Sequence, residues 1–400
     1  MASITFESMS ESKHIVLVDD DSRNHLFPIT LTRPVSYIRL GIFTLIEKWR
    51  LFTGAEVSPM APDYLAQLFP LRLRDVNLFV NAALIPEPDN VGEIIDLKRG
   101  EYLYDKNGRW VAAVDERLEA DSDKKTKRTA KTEFDFINRN WEIFRKNDLA
   151  LRSDWKWVTE NRTSLPVPDG VTVIGQDIFV EEGAVLRPSI INTLEGPVYI
   201  GRHAEVMEGS LIRGAFALGD HSQLKMGAKI YGGTSIGPYC KVGGEVNNCV
   251  FIGYSNKGHD GFMGNSVVGE WCNIGADTNT SNLKNNYAPV KVFNYALNRT
   301  ENTGSQFCGL TMGDHSKCGI NTMFNTGTVC GIFANVFGSD FPHRRIPDFG
   351  WGGASGFKTH RLEDALDTAK RMMERRSVEL TEAHVGLYTH LYNQLAENIR

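Results

Sequence analysis

The sequence predicts two architectures in one chain: an α/β N-terminal domain, then an all-β, left-handed parallel β-helix with C-terminal helices. Three observations predict this. An apolar residue recurs at every sixth position through the middle of the chain, buried-strand and helical patterns precede that region, and 30 of the 37 glycines lie between Val171 and His360. We expect four segments, namely 1–150, a linker at 151–170, the β-helix at 171–345 and a helical cap at 346–400.

The six-residue period is typical of a parallel β-helix, because one hexad supplies a short strand and a corner, and three hexads complete a triangular coil. The repeated apolar residue points inward, so stacked coils bury one continuous core. The period holds at eight successive positions: Ile200, Val206, Ile212, Leu218, Leu224, Ile230, Ile236 and Val242. It is extended by Ile174, Val180 and Leu186 upstream, and by Phe262, Val268, Ile274, Met312, Cys318, Phe324, Cys330 and Val336 downstream.

Two breaks in the period predict loops that leave the coil. The first is Gly253 to Gly261, and the second is a longer insertion between Thr280 and Met312. External loops on a rigid solenoid commonly carry function. The sequence leaves open whether residues 284–310 form a lid.

The flanking regions show strand and helix patterns. Before the β-helix we expect strands at 14–19 and 76–80, helices at 35–52 and 136–151, a hairpin at 93–114 and an exposed charged loop at 119–133. After it, residues 361–400 are poor in glycine and carry an apolar stripe at helical spacing. The expected role of these last helices is to cap the coil.

Composition excludes several function classes. A formal net charge of −5 does not favour binding to nucleic acid or to an anionic membrane. The sequence contains no run of about 18 apolar residues, so it predicts no membrane span. Residues 1–12 lack a secretory apolar segment. The six cysteines, between Cys240 and Cys330, form no Cys-x-x-Cys pair. We therefore expect reduced thiols in a cytoplasmic protein.

The strongest local motif lies in the first loop and reads Lys257-Gly-His259-Asp-Gly261. Flanking glycines allow a ligand to approach the backbone closely. Histidine titrates near neutral pH, which suits a general base. On this motif alone, His259 is either a catalytic base or an ordinary surface histidine.

The residues around this histidine resemble the acetyltransferase half of the GlmU-type bifunctional enzymes that make UDP-N-acetylglucosamine. That family reads His-x-x-Tyr-x-Gly, followed by Asn-Ile-Gly-Ala-Gly-Thr and a later Asn. This chain has His259, Phe262, Asn273-Ile-Gly275-Ala276 and Asn282, with the family's spacings of 14 and 9 residues. The departures are Phe262 in place of the family tyrosine, and Lys225 where the family has an arginine.

The resemblance implies residue roles and partners. His259 would be the general base, Asn273 would contact the amino sugar, Gly275 and Ala276 would lie near the acetyl thioester, and Asn282 would hold the sugar or the acetyl group. Lys225 and Phe262 would complete the substrate site. The implied activity is acetyl-CoA-dependent N-acetylation of an amino-sugar phosphate, in nucleotide-sugar biosynthesis, by a homotrimer.

The N-terminal part resembles the sugar-1-phosphate nucleotidylyltransferase domain of the same family, in the shortened variant found among Bacteroidetes-type bacteria. The residues that carry this resemblance are Asp19-Asp20-Asp-Ser-Arg23 and Leu31-Thr-Arg33-Pro34. It implies that Asp20, Arg23 and Arg33 bind a nucleotide, and it leaves Mg²⁺ open as a cofactor. Ala83, however, stands where the family has a metal-binding aspartate. Nucleotidyl transfer and a degenerate nucleotide- or sugar-binding domain both stay open.

Two other functions compete with the acetyltransferase. A metal-dependent β-helix hydratase, like the γ-type carbonic anhydrases, needs three histidines on one zinc. His203, His221, His259 and His315 are available but form no compact motif, so we predict no metal site. The other alternative is a trimeric scaffold that binds a sugar nucleotide without catalysis.

Overall fold

The computed structural model describes residues 14–118 and 126–396, and it divides the chain into two compact units. The first contains the residues up to Arg23, together with Arg33–Tyr37 and Thr44–Ile137; the second contains Asn24–Thr32, Ile38–Phe43 and everything from Asn138 onward. Position 150, where we expected the first domain to end, lies inside a helix that belongs wholly to the second unit.

The N-terminal region contains eight strands and three α-helices in its described part. In chain order these are β1 (His14–Val18), β2 (Arg39–Leu40), β3 (Phe43–Thr44), α1 (Leu45–Thr53), β4 (Val57–Met60), β5 (Asn77–Asn81), α2 (Pro88–Ile95), β6 (Glu101–Tyr104), β7 (Trp110–Asp115), β8 (Thr126–Thr129) and α3 (Asn140–Thr159). Short 3-10 helices lie at Asp21–Leu26, Val35–Tyr37 and Asp63–Leu65.

The first unit is built on a six-stranded mixed sheet with the order β4-β1-β5-β7-β6-β8. Strand β1 runs parallel to both β4 and β5, and the predicted hairpin forms as the antiparallel pair β6–β7. The charged segment expected to be a loop contains β8, which pairs in parallel with β6. Its residues 119–125 lie outside the described part of the chain.

One predicted helix is shorter than expected. The apolar pattern predicted a helix over 35–52, but α1 begins only at Leu45. Gly41 has a φ of +78°, which breaks the helical path. Thr44 then starts the helix with a capping box, in which its backbone N–H donates to Glu47 Oε2.

The second unit contains the predicted parallel β-helix, which is confirmed. Three sheets form its faces. The nine-stranded face contains β10 (Ile178–Val180), β13 (Val198–Ile200), β16 (Phe216–Leu218), β19 (Thr234–Ile236), β22 (Val250–Gly253), β25 (Val267–Glu270), β30 (Thr311–Met312), β33 (Val329–Cys330) and β35 (Arg345–Ile346). The ten-stranded face contains β11 (Val185–Leu186), β14 (Glu205–Val206), β17 (Gln223–Leu224), β20 (Lys241–Val242), β23 (Asn256–Lys257), β26 (Asn273–Ile274), β31 (Lys317–Cys318), β34 (Asn335–Val336), β36 (Gly350–Gly353) and β37 (Gly356–Thr359).

The eight-stranded face completes the coil with β9 (Thr172–Ile174), β12 (Ile190–Asn192), β15 (Leu211–Arg213), β18 (Lys229–Ile230), β21 (Glu245–Asn247), β24 (Phe262–Gly264), β27 (Asn279–Thr280) and β32 (Met323–Phe324). Outside these faces lie the hairpin β28 (Lys291–Asn294) and β29 (Arg299–Asn302), and the helices α4 (Leu362–Glu374) and α5 (Glu382–Leu395). Part of the second predicted loop thus forms its own hairpin.

The hexad series identifies the core correctly with two exceptions. All eight residues from Ile200 to Val242 are buried, as are the downstream aliphatic, methionine and cysteine positions. Ile174, however, is 41 % exposed on the first coil. In the downstream series Met263 points inward, in register with Val246, so Phe262 points outward. Adjacent strand residues face opposite sides, so an error of one position inverts the prediction.

Helix α3 packs on the outside of the nine-stranded face. Its residues Leu151 and Val158 join Phe179, Tyr199 and Ala217 in one buried apolar cluster. Burying such side chains stabilises the fold by about 1.5–3 kcal/mol each. The helix is therefore part of the β-helix unit.

A buried asparagine ties α3 to two other segments of the same unit. Asn147 accepts a hydrogen bond from the Gly41 N–H at 2.7 Å, and its amide donates to the Gly233 carbonyl at 2.8 Å. It also bonds to the Ser235 hydroxyl. We expect Asn147→Ala to lower the free energy of unfolding by about 2–4 kcal/mol, because two buried backbone groups lose their partner.

The control for Asn147→Ala is Asp148→Ala, which removes only the half-exposed ion pair with Arg152 one turn along the helix. Urea denaturation of the two variants measures the difference in their free energies of unfolding. Such a pair contributes less than about 0.5 kcal/mol. Equal stability losses in the two variants would contradict a bridging role for Asn147.

All six cysteines are buried and free, and burial raises the pKa of Cys240 and Cys249 to about 12. These thiols are therefore protonated at neutral pH and inert.

Across 14–118 and 126–396, none of the helices is both long and apolar enough to span a bilayer.

Candidate active site

A cavity of about 750 Å³ lies between the outer surface of the ten-stranded face and helix α4. Sheet residues form its floor, the loop at 258–261 forms one rim, and α4 covers it. Its lining comprises Lys225, Lys241, Tyr254, Asn256, Gly258, His259, Asn273, Ile274, Gly275, Ala276, Lys317, Ile320, Thr368, Arg371, Met372, Arg375 and Arg376. All of these residues belong to the second unit.

The floor of the cavity is an outward-facing row produced by the strand register. Lys241, Asn256, Asn273 and Lys317 lie opposite one another on consecutive strands β20, β23, β26 and β31. Each directly precedes an inward residue of its strand, so it points out of the coil. The repeat therefore places polar side chains from four coils in one line.

The loop that carries His259 is shorter than predicted. Asn256 and Lys257 remain in the coil as β23, so only residues 258–261 leave it. Gly261 has a φ of +113°, and a Cβ there would lie 2.2 Å from the Thr278 carbonyl oxygen. This position therefore requires glycine, and the loop runs directly against the next coil. The His259 side chain is exposed at the rim of the cavity.

The cavity is strongly cationic. Burial lowers the pKa of Lys317 to about 8. Burial and the neighbouring cations Arg376, Lys225 and Arg375 lower the pKa of Lys241. None of the described residues that line the cavity carries a carboxylate. Arg371 pairs with Asp367, which lies outside the lining, whereas the lining itself supplies no carboxylate to the other cations, so an anion would compensate their charge.

Helix α4 contributes three arginines to this cationic surface. Arg371, Arg375 and Arg376 lie in its last turns or directly after it. Arg376 donates a hydrogen bond to Asn256 Oδ1 at 2.9 Å, which joins the helix to the floor. The expected helical cap thus forms part of the site. Sequence reasoning missed these arginines because no local pattern indicates which helix face covers a cavity.

The structure brings together five of the seven predicted residues of this domain. Lys225, His259, Asn273, Gly275 and Ala276 all line the cavity. Phe262 and Asn282 do not. They lie on the eight-stranded face against Gly264, where the Asn282 amide donates to Asn265 Oδ1 at 2.8 Å.

The backbone at Gly275 has a fixed partner. Its N–H donates to the Cys318 carbonyl at 3.2 Å within the strand ladder. It is therefore not free to stabilise an oxyanion at the acetyl thioester, which leaves the neighbouring Ala276 N–H as the candidate donor. The turn is tight, since a Cβ at Gly275 would lie 2.4 Å from the Gly319 backbone.

In the first unit, two of the predicted nucleotide-binding residues, Asp20 and Arg23, belong to a charged network. Asp20 accepts hydrogen bonds from the Asn81 amide at 2.7 Å and from Arg109 at 3.1 Å. Arg23 donates to Asp19 at 3.1 Å and to the Tyr64 hydroxyl at 2.6 Å. Arg33 is buried, 3 % exposed.

These residues do not fit an Mg²⁺ site. Asp20 already accepts hydrogen bonds from Arg109 and Asn81, and the Asp19 carboxylate forms an ion pair with Arg23. Within the described ranges no three histidine, cysteine, aspartate or glutamate side chains gather as metal ligands. We therefore derive no step that uses a metal ion.

Three of the four histidines considered for zinc have another place in the fold. His203 and His221 stack at 5.0 Å between ring centroids, and His315 stacks on Phe333 at 4.5 Å. They belong to a ladder of aromatic rings at one corner of successive coils, completed by Tyr239, Tyr254, Trp271 and Phe349. Stacking accounts for these histidines, and His259 lies outside the ladder.

Comparison with known proteins addresses both units. Residues 15–163 match the family model described as sugar nucleotidyl transferase. This part of the chain is similar to that family. The match includes Asp20, Arg23 and Arg33, and it confirms the resemblance inferred for the N-terminal part.

Two curated relatives to which the chain is similar are named as bifunctional proteins. The chain is 36 % identical over 87 residues to the bifunctional protein GlmU of Methanocaldococcus jannaschii, covering 22 % of this chain and 21 % of that protein. It is 29 % identical over 161 residues to a bifunctional sugar-1-phosphate nucleotidylyltransferase/acetyltransferase of Sulfurisphaera tokodaii, covering 40 % and 39 %. The matches thus span about a fifth and two fifths of these relatives. The predicted resemblance to GlmU-like enzymes is confirmed.

Solved structures that are similar to this chain include two UDP-N-acetylglucosamine acyltransferases. The Arabidopsis protein is 14 % identical with a TM-score of 0.22, over 58 % of this chain and 89 % of that one. The Campylobacter jejuni protein is 11 % identical with a TM-score of 0.17, over 57 % and 96 %. The β-helix assignment rests on the strand pairing of this chain itself.

Proposed function

We propose that this sugar nucleotidyl transferase relative is an acetyl-CoA-dependent N-acetyltransferase that acts on an amino-sugar phosphate. The observation that carries the proposal is the cavity itself. It combines His259 on one rim, Asn273 on the floor and a cationic surface without lining carboxylates. A base beside a site for anions fits an amine acceptor that carries phosphate.

The chemistry follows from the position of these groups. The His259 imidazole accepts the proton of the amine while the nitrogen attacks the thioester carbonyl carbon. The carbon–sulfur bond then breaks, and the thiolate leaves with a proton returned from the imidazolium. The Ala276 N–H stabilises the oxyanion, and Asn273 orients the sugar. Binding both substrates in one cavity supplies the alignment that the transfer requires.

The cations are assigned to the phosphates of the two substrates. Acetyl-CoA and a sugar 1-phosphate are both multiply charged anions. Each hydrogen bond from a lysine or arginine to phosphate contributes about 1.5–3 kcal/mol. Binding also relieves the repulsion between Lys241 and the arginines of α4.

The test is thiol release from acetyl-CoA by the purified protein with a panel of amino-sugar 1-phosphates. We expect release with one sugar and none with the matching N-acetylated sugar, because that product has no free amine. Absence of release with every sugar, from a folded protein that still binds a sugar nucleotide, would instead support the scaffold.

The proposal includes a homotrimer. An exposed apolar row on the eight-stranded face supports it, since Ile190 and Leu211 are 43 % and 46 % exposed there. Light scattering would measure the mass against the 44.7 kDa of one chain. For the first unit, nucleotidyl transfer and simple binding of a sugar nucleotide are both retained, and its network of Asp20, Arg23 and Arg109 is the place to test them.

A further inference from the structure

A lysine occupies a core position of the β-helix. Lys257 lies opposite Val242 on the preceding coil, and the register places Ile274 opposite it on the next. Both neighbours are buried aliphatic residues of the hexad series, and Lys257 is only 1 % exposed. An ammonium group in such a core is costly unless hydrogen bonds compensate it.

The hydrogen bonds of this ammonium all go to backbone around the His259 loop. Lys257 Nζ donates to the carbonyl oxygens of His259 at 2.8 Å, Gly243 at 3.1 Å and Asp260 at 3.4 Å. Two of these carbonyls belong to the loop, and the third belongs to the coil before it. The Lys257 side chain therefore links the backbone of the loop at His259 to the backbone of the preceding coil at Gly243.

The surrounding backbone leaves this contact little freedom. A Cβ at Gly244 would lie 2.8 Å from Lys257 Nζ, and 2.9 Å from the His259 carbonyl oxygen. On the other side, the Asp277 N–H donates to the Asp260 carbonyl at 3.0 Å. The loop is thus held by the preceding coil through Lys257 and by the following coil through Asp277.

We propose that Lys257 is the positioning residue for the catalytic base, holding the 258–261 backbone so that His259 faces the cavity. The inference rests on the proposed function, which assigns His259 as the base. An aliphatic residue would fill the core position, as Val242 and Ile274 do, but it would remove the ammonium donor from the His259 carbonyl and leave the Asp260 carbonyl with only the Asp277 N–H. Burial also lowers the pKa of Lys257 to about 8, as expected for an ammonium whose partners are neutral carbonyls.

The decisive variant is Lys257→Met, which keeps the length and volume of the side chain but has no donor. We expect kcat for acetyl transfer to fall about 10²-fold, because small displacements of a catalytic group have effects of this size. We expect KM to change less than about twofold. Hydrogen exchange should accelerate in peptides that cover 258–261 and stay unchanged in peptides from neighbouring coils.

The matched control is Lys317→Met, which also removes a lysine whose pKa is lowered to about 8 and which donates to a backbone carbonyl, that of His315. Because Lys317 lines the cavity, its loss should raise KM and leave exchange at 258–261 unchanged. A third variant, Lys257→Gln, keeps an N–H donor and should retain more of kcat than Lys257→Met. It also preserves the test if the methionine variant fails to fold.

The outcomes separate this inference from the proposed function. Wild-type kcat in Lys257→Met, or unchanged exchange at 258–261, would overturn the positioning role. Faster exchange throughout the β-helix would also overturn it, since Lys257 would then serve stability alone. If the wild-type protein shows no acetyl transfer, the proposed function fails, whereas exchange in the variants still decides whether Lys257 holds the loop.

Discussion

Replacing His259 with alanine is expected to lower kcat for acetyl transfer by about 10²- to 10⁴-fold, the range for loss of a general base. KM for the amino-sugar phosphate should change little, because the anion-binding cations stay in place. Steady-state thiol release between pH 5.5 and 9 measures both effects.

A matched histidine provides the control. His343 is also exposed, but it lies between β34 and β35 and does not line the cavity. His343→Ala should therefore keep the wild-type rate and pH profile. Equal losses in the two variants, or full activity in His259→Ala, would remove His259 from the mechanism and leave the cavity as a binding site.

The second large effect is expected at the arginines of α4. The double variant Arg375→Gln/Arg376→Gln should raise KM for the anionic substrates about 10²-fold, because two charge-assisted hydrogen bonds to phosphate are lost. The effect on kcat should be smaller, since neither arginine lies on the His259 loop. Raising the salt concentration should weaken wild-type binding more than binding by the variant.

Lys370→Gln is the control for this variant. Lys370 lies on the same helix, pairs with Glu374 at 4.0 Å and does not line the cavity. Its loss should leave KM unchanged. If the double variant and this control gave the same KM, the cationic surface would have no role in substrate binding.

The lowered pKa of Lys317 adds a pH dependence with a defined sign. A bound anion favours the ammonium form, so binding takes up a proton near this lysine's pKa of about 8. Affinity should therefore be full below that pH and decline as pH rises through it. Calorimetry at pH 8 in buffers of different ionisation enthalpy measures the proton uptake, and buffer-independent heats would contradict it.

Several features of the site follow from sequence alone. The hexad period located the β-helix and most of its core, because an inward residue at every sixth position is required to close each coil. The same period also implies an outward-facing row. Lys241, Asn273 and Lys317 each precede a member of the series, Val242, Ile274 and Cys318, so their outward row was implicit in the pattern.

The errors at Ile174 and Phe262 have one physical cause. A strand alternates its faces with each residue, so the pattern must be placed to within one position. Beside Phe262, the four-residue loop at 258–261 resets the count and Met263 takes the inward place. The inward position is regained at Val268, which lies opposite Phe251 on the preceding coil and Met312 on the next.

The sequence by itself determined the succession of architectures, the coil core and the loop that carries His259, because these depend on local period and on glycine. Only the tertiary structure decided what surrounds that histidine. It placed α4 and its arginines over the ten-stranded face, α3 against the nine-stranded face, and the Lys257 ammonium on the loop carbonyls. The helix contacts join residues far apart in the chain, and the Lys257 contacts depend on the conformation of the 258–261 loop, so neither produces a periodic pattern in the sequence.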